Sequence, residues 1–224
     1  MRRRPAQAWL SKDLSQLGWR RGSVLISAFE EPFETWADMT HTLPSERRWR
    51  KAQRRAGKQD AARSVVYFCG ILSEETIAKH KGSNPAATTA KLQDHVRANL
   101  REMLASRMKP FWPDALTEPP GSALPLLVLE DGSVGGGDDK ALKEQHVQAN
   151  WSGSDRFTLA VPGSLDYRIS PLDYSVVNMT IAGDWTECGF NESCVESAVM
   201  SGLVAAHAIS GQPDLNEIIG YNHP

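Results

Sequence analysis

The sequence predicts an α/β protein, built from an α+β segment over residues 1–174 and a strand–turn–helix unit over residues 175–224. Three observations predict it. The run Arg63-Ser-Val-Val-Tyr-Phe-Cys-Gly-Ile-Leu72 is apolar without alternation, the mark of a strand covered on both faces. Leu92, Val96, Leu100, Met103, Leu104 and Met108 trace one face of a helix of about five turns. Val176 to Gly183 then reads as a buried-type strand, and Ser193 to Ser210 as the helix that follows it.

The remaining elements follow in chain order. Ala6, Trp9, Leu10, Leu14 and Leu17 recur at helical spacing, so the first segment reads as a helix, with Gly18 in the C-cap position. Ser23 to Phe29 reads as a strand, and Glu30 to Pro44 as an aromatic-rich loop holding Phe33, Trp36, Asp38 and His41. Thr88 or Thr89 is the expected N-cap of the long helix, and Pro110 its stop. Phe111 to Gly121 is a proline-rich connector, Leu124 to Leu129 a short strand, and Asp131 to Lys140 a Gly/Asp loop. Arg156 to Val161 is another strand pattern, ended by Pro162-Gly163.

Composition narrows the class. Of 224 residues, 41% are apolar and 23% charged, with a net charge of −2, so the chain is neither disordered nor a bulk polycation. Three cysteines do not make a disulfide scaffold. No stretch nears the ~20 apolar residues of a membrane helix, and no apolar core follows Met1-Arg-Arg-Arg-Pro5. A soluble cytoplasmic protein is expected.

Several constellations carry little chemistry. The basic run Arg47, Arg48, Arg50, Lys51, Arg54, Arg55 and Lys58, with Trp49 inside it, has the composition of a phosphate-and-base contact. No nucleic-acid motif accompanies it, and a solvated surface insertion accounts for it, so a nucleic-acid partner is not expected. Gly132-Ser-Val-Gly-Gly-Gly137 lacks the spacing of a dinucleotide loop, and Asp138-Asp139 would repel a phosphate. Cys188 and Cys194 find no zinc partners at the usual spacing, Asp38 and His41 form only a weak metal pair, and no metal is expected. No hydrolase motif is present.

The end of the chain is more informative. Gly183 allows close approach of a ligand to the backbone, and Asp184 would stand at the carboxyl end of a strand, where open α/β sheets bind ligands. A carboxylate there accepts hydrogen bonds from the hydroxyls of a sugar or polyol. Ser193-Cys-Val-Glu196 has capping-box spacing, and the small residues Ser197, Ala198, Ser201, Gly202, Ala205, Ala206 and Ala208 permit close packing.

Val177-Asn-Met-Thr-Ile-Ala-Gly-Asp-Trp-Thr186, followed by Cys194-Val-Glu-Ser-Ala-Val-Met-Ser-Gly202 and Ala205-Ala206, resembles the C-terminal FAD-binding signature of the flavin-containing amine oxidase and phytoene desaturase superfamily. Glu31 to Thr40, Val66 to Gly70, Val161 to Ser164 and Tyr167-Arg168 are similar to a bacterial subgroup of it. The resemblance implies an FAD cofactor. Asp184 would hydrogen-bond the ribityl chain, the backbone at Cys194 and Val195 would face the flavin pyrimidine, and Gly183 and Trp185 would flank the cofactor. Phe33, Trp36, Tyr67 and Phe68 would line a cavity for an apolar or amine substrate. The flavin carries the chemistry in such enzymes, so no catalytic acid or base is expected from this chain.

One departure stands beside the match. Members of the superfamily begin with a dinucleotide-binding βαβ unit carrying G-x-G-x-x-G, and this sequence contains no such pattern. The resemblance therefore implies the C-terminal portion of an FAD-dependent oxidoreductase, incomplete relative to the family. Its last strand and helix would belong to a Rossmann-like domain whose pyrophosphate and adenosine sites lie elsewhere. Catalysis would then require an N-terminal dinucleotide-binding partner; the expected partners are such a chain or a homo-oligomer. The rival expectation is a non-catalytic binding or assembly protein, or a truncated remnant, that docks on a partner through the unpaired strand Val177 to Gly183 and its small-residue helix.

Overall fold

The computed structural model describes residues 2–28, 31–46, 61–115, 122–135, 139–156 and 160–221. They form two compact units, Arg2–Phe157 and Thr158–Pro224. The basic run of residues 47–58 and residues 136–138 of the glycine loop lie outside the described residues.

The first unit is built on an antiparallel sheet of five strands. These are β1 (Arg3–Leu10), β2 (Leu25–Ser27), β3 (Thr35–Asp38), β4 (Ser64–Ile71) and β5 (His146–Val147), in the order β2-β3-β4-β1-β5. β4 is the apolar run anticipated above. It pairs with β3 and β1, and its residues are buried without alternation because Leu92 and Leu100 pack with Val66 and Phe68 on one face and Val128 packs with Val65 on the other.

β1 corrects the helix expected at the start of the chain. Helical spacing over Ala6 to Leu17 competes with a strand alternation of Arg4, Ala6, Ala8 and Leu10. The alternation prevails because β1 lies between β4 and β5, where its backbone groups find ladder partners on both sides. Ala6, Ala8 and Leu10 are fully buried on one face. The second half of the expected helix is a tight turn, tied by Asp13 Oδ1 accepting from Ser15 Oγ at 2.7 Å and Gln16 N–H at 2.8 Å. Gly18 closes it at φ +97°, where a Cβ would meet Pro113 at 2.8 Å. β3 likewise replaces part of the expected loop Glu30 to Pro44. β2 is shorter than the expected strand, whose Phe29 lies outside the described residues.

Three helices accompany the sheet in this unit: α1 (Glu74–Lys79), α2 (Pro85–Glu102) and α3 (Asp139–Lys143). Asn84 rather than Thr88 or Thr89 caps α2, its Oδ1 accepting from Ala87 N–H at 2.9 Å. Pro85 stands in the first turn, where its missing N–H costs nothing. α2 passes into a single π turn over Met103–Arg107, ahead of Pro110. The expected apolar face is buried throughout and packs with Ala6, Ala8, Leu10, Val66 and Phe68. Trp36 centres an aromatic cluster, edge-on to Trp19 at 5.1 Å and to Trp112 at 5.5 Å. The opposite face of the sheet is covered at one end by Trp9, Val65 and Val128. Leu124 to Leu129 is a 3₁₀ turn followed by two isolated bridges, not a strand.

The second unit holds α4 (Val195–Ser210), ended by Gly211 at φ +74°. Met200 and Val204 pack with Cys188 and Ile218, and Leu172, Leu215 and Tyr221 adjoin them. The strand expected over Val176 to Gly183 is not formed. Its residues are irregular, and Val177 is 99% exposed. A strand of the buried parallel type needs neighbours on both edges, and no described strand pairs with this one. The strand expected over Arg156 to Val161 falls partly on residues 157–159, outside the described residues; Arg156, Ala160 and Val161 belong to no strand.

Candidate functional site

Gly183, Asp184, Trp185 and Thr186 form a tight turn fastened to α4. Gly183 takes φ +147°, and a Cβ there would meet Trp185 Nε1 at 2.4 Å, so the indole lies directly over the glycine. Gly183 N–H donates to Ser201 Oγ at 2.9 Å. The Thr186 hydroxyl lies 2.6 Å from Ser201 Oγ and donates to the Gly183 carbonyl at 2.8 Å. Arg168 Nη1 donates to the carbonyls of Asp184 at 2.8 Å and Thr186 at 3.1 Å.

These bonds satisfy the backbone of the turn and leave its carboxylate over. Asp184 is half-buried, and among the described residues no hydrogen bond or ion pair reaches its side chain. The arrangement suits a group that accepts from a ligand's hydroxyls. Trp185 is exposed beside it.

Cys194 and Val195 stand at the start of the same helix. Cys194, not Ser193, is the N-cap: its Sγ accepts Ser197 N–H at 3.5 Å and its carbonyl accepts Ala198 N–H at 3.1 Å. The N–H groups of Val195 and Glu196 have no acceptor among the described residues, as expected of a first helical turn. They point the positive end of the helix dipole outward. Ser201 follows Cys194 by seven residues, about 10 Å along a helix. One rigid element thus carries a free carboxylate beside its third turn and free amides at its first.

Sequence reasoning singled out Gly183, Asp184, Trp185, Cys194 and Val195, and the structure attaches all five to α4. It passed over Ser201 as a merely small residue. A hydroxyl among the alanines and glycine of a packing helix was the available signal that something polar meets it.

The expected cavity residues separate. Phe33, Trp36 and Phe68 are fully buried in the core beneath the sheet, and strand alternation turns Trp36 and Phe68 to the face that α2 covers. Tyr67 lies on the opposite face with Gln7 and Ala37 as strand partners. Burial raises its phenol pKa, and a hydrogen bond with Cys69 raises it further. Asp38 caps the Thr40 N–H at 2.9 Å, His41 is exposed, and no cluster of three metal-ligating side chains occurs among the described residues. No described helix is long and apolar enough to cross a membrane.

A family model for flavin-containing amine oxidoreductases matches residues 2–210. No curated protein and no solved structure matches the chain.

Proposed function

The chain belongs to the flavin-containing amine oxidoreductase family, and on that premise we propose that its second unit holds the flavin end of an FAD cofactor. The observation that carries this reading is the Asp184 carboxylate, unpartnered among the described residues, in a turn whose backbone is held by Arg168 and by Ser201 of the helix whose Val195 and Glu196 amides are also without an acceptor there. The donor and acceptor set fits the group. Asp184 would accept from ribityl hydroxyls. The backbone at Cys194 and Val195 would face the pyrimidine carbonyl, with Val195 N–H as the donor because Cys194 N–H already donates to the Glu192 carbonyl at 3.0 Å, and Gly183 and Trp185 would flank the ring. When bound, the flavin supplies a two-electron hydride acceptor. The residues of this chain orient it, and the helix start favours negative charge at the pyrimidine edge.

The pyrophosphate and adenosine would be held by a dinucleotide-binding unit outside residues 1–224, because these residues contain no G-x-G-x-x-G pattern. Tyr67 and Cys69, on the sheet face away from α2, are the first unit's candidates for contact with an apolar or amine substrate.

The test is titration of the purified chain with FAD and with riboflavin, read by absorbance at about 450 nm and by flavin fluorescence. Both ligands should bind with similar affinity, since only the flavin end is recognised. Asp184→Asn should weaken both about 10- to 100-fold, the worth of a charged hydrogen bond. Equal binding by wild type and variant would overturn the assignment of Asp184.

A second reading is favoured by one observation. Val195, Val199 and Ile209 form an apolar stripe on α4, respectively 75%, 57% and 76% exposed. Together with exposed Val177 it resembles a docking face. A chain that binds a partner through this stripe and never binds flavin would be an assembly protein.

A further inference from the structure

Cys188 and Cys194 bracket a loop that folds back onto the first turn of α4. Within it Gly189 and Asn191 take left-handed conformations, φ +84° and +53°, and Asn191 Oδ1 accepts the Cys188 N–H at 3.2 Å. The reversal delivers both thiols to one residue. Cys188 Sγ donates to the Ser197 carbonyl at 3.5 Å. Cys194 Sγ lies 3.4 Å from Ser197 Oγ and accepts the Ser197 N–H. Cys188 is buried and Cys194 half-buried, so a solvent-borne reagent meets Cys194 first. The third cysteine, Cys69, is buried on β4 in the other unit.

We propose that Cys188 and Cys194 are a redox pair that closes to a disulfide when hydrogen peroxide reaches Cys194. The Cys194 sulfur, having lost its proton, attacks one peroxide oxygen; the S–O bond forms, the O–O bond breaks, and the other oxygen leaves as water after protonation. Cys188, giving up its proton, then attacks the Cys194 sulfur; the S–S bond forms, the S–O bond breaks, and a second water leaves. In sum two thiols and one hydrogen peroxide give one disulfide and two waters. Closure removes the S–H donor from the Ser197 carbonyl and ties the loop before α4 to the helix cap. The pairing stands on thiol geometry alone and does not depend on flavin binding.

The test is peptide mapping of the full chain after exposure to hydrogen peroxide and alkylation of remaining thiols. No Lys or Arg follows Arg168, so trypsin leaves both cysteines in one peptide, 169–224, while Cys69 falls in 64–79. Cleavage after Glu192 separates the pair. The expected result is an unalkylated 169–224 peptide lighter by two hydrogens. Its two cysteine fragments stay joined until reduced, and Cys69 is alkylated. Cys69→Ser should leave the link in place, and Cys194→Ser should abolish it. Three results would overturn the proposal: Cys194 carried to sulfinic acid with Cys188 alkylated, a link between two chains through Cys194, or Cys69 oxidised as fast as the pair. The map of the unaltered chain decides, so a variant that fails to fold leaves the answer intact.

Discussion

The two units differ in how they use their apolar residues. In the first, α2 and the segment after it seal one sheet face, and Trp36, Phe68, Leu92 and Leu100 are fully buried. In the second, four buried side chains make the core, while Val177, Val195, Val199 and Ile209 stay exposed on a helix and an unpaired segment. A helix that is apolar nearly all round belongs inside something. The first unit therefore draws its stability from its own packing. The second is organised by hydrogen bonds to Ser201 and Arg168 and presents surface for further burial.

Three experiments break or sharpen this contrast. The largest effect is expected from Phe68→Ala, which empties a site packed by Phe33 and Trp112. It should lower the stability of the first unit by about 3–5 kcal/mol, read from urea unfolding by tryptophan fluorescence. Ser201→Ala should cost the second unit about 1–2 kcal/mol, because Gly183 N–H and Thr186 Oγ1 each lose a partner. Hydrogen exchange should show faster exchange at Gly183 and unchanged protection in β4. If β4 loosens equally, the units are not independently stabilised.

The smallest effect concerns pH. His95 has its pKa lowered by burial first, then by the positive charges of His80, Arg4 and Lys79; the His80 ring lies 4.6 Å away. Asn99 Nδ2 faces His95 Nε2 at 3.3 Å, which suits a neutral ring with that nitrogen accepting. A group with a depressed folded pKa binds its proton better when unfolded. Stability from neutral His95 is thus full above the ordinary value of 6.5 and declines as pH falls below it. The urea midpoint of the first unit should fall between pH 7.5 and 5.5, and fall less in His95→Gln (both pH values are about one unit from that ordinary value). An identical pH dependence in the two proteins would remove His95 from the account.

β4 and the buried face of α2 were legible in the sequence because an unbroken apolar run and a single helical stripe each admit one reading. β1 was not, because Ala6 to Leu10 fits two periods and only the distant pairing with Phe68 and Val147 chooses between them. The turn at Gly183 could be located because Gly and Asp have few other uses after an apolar run. The strand before it was misread for the opposite reason: its pattern describes a neighbourhood that the described residues do not provide. Contacts such as Trp36 with Trp112, or His80 with His95, depend on where strands and helices finally lie, and no spacing announces them.

β1 also sets an order on biosynthesis. Of the five strands of the sheet it is the first to be made, yet it occupies an interior place, between β4 and β5. Its apolar face must wait for Ser64–Ile71 before one ladder can form and for His146–Val147 before the second can. Such long-range closure slows folding and leaves β1 uncovered on the ribosome for much of translation. Nascent chains arrested before and after residue 147 should therefore differ sharply in their capture by a chaperone that binds short apolar segments, with Arg3–Leu10 the segment released.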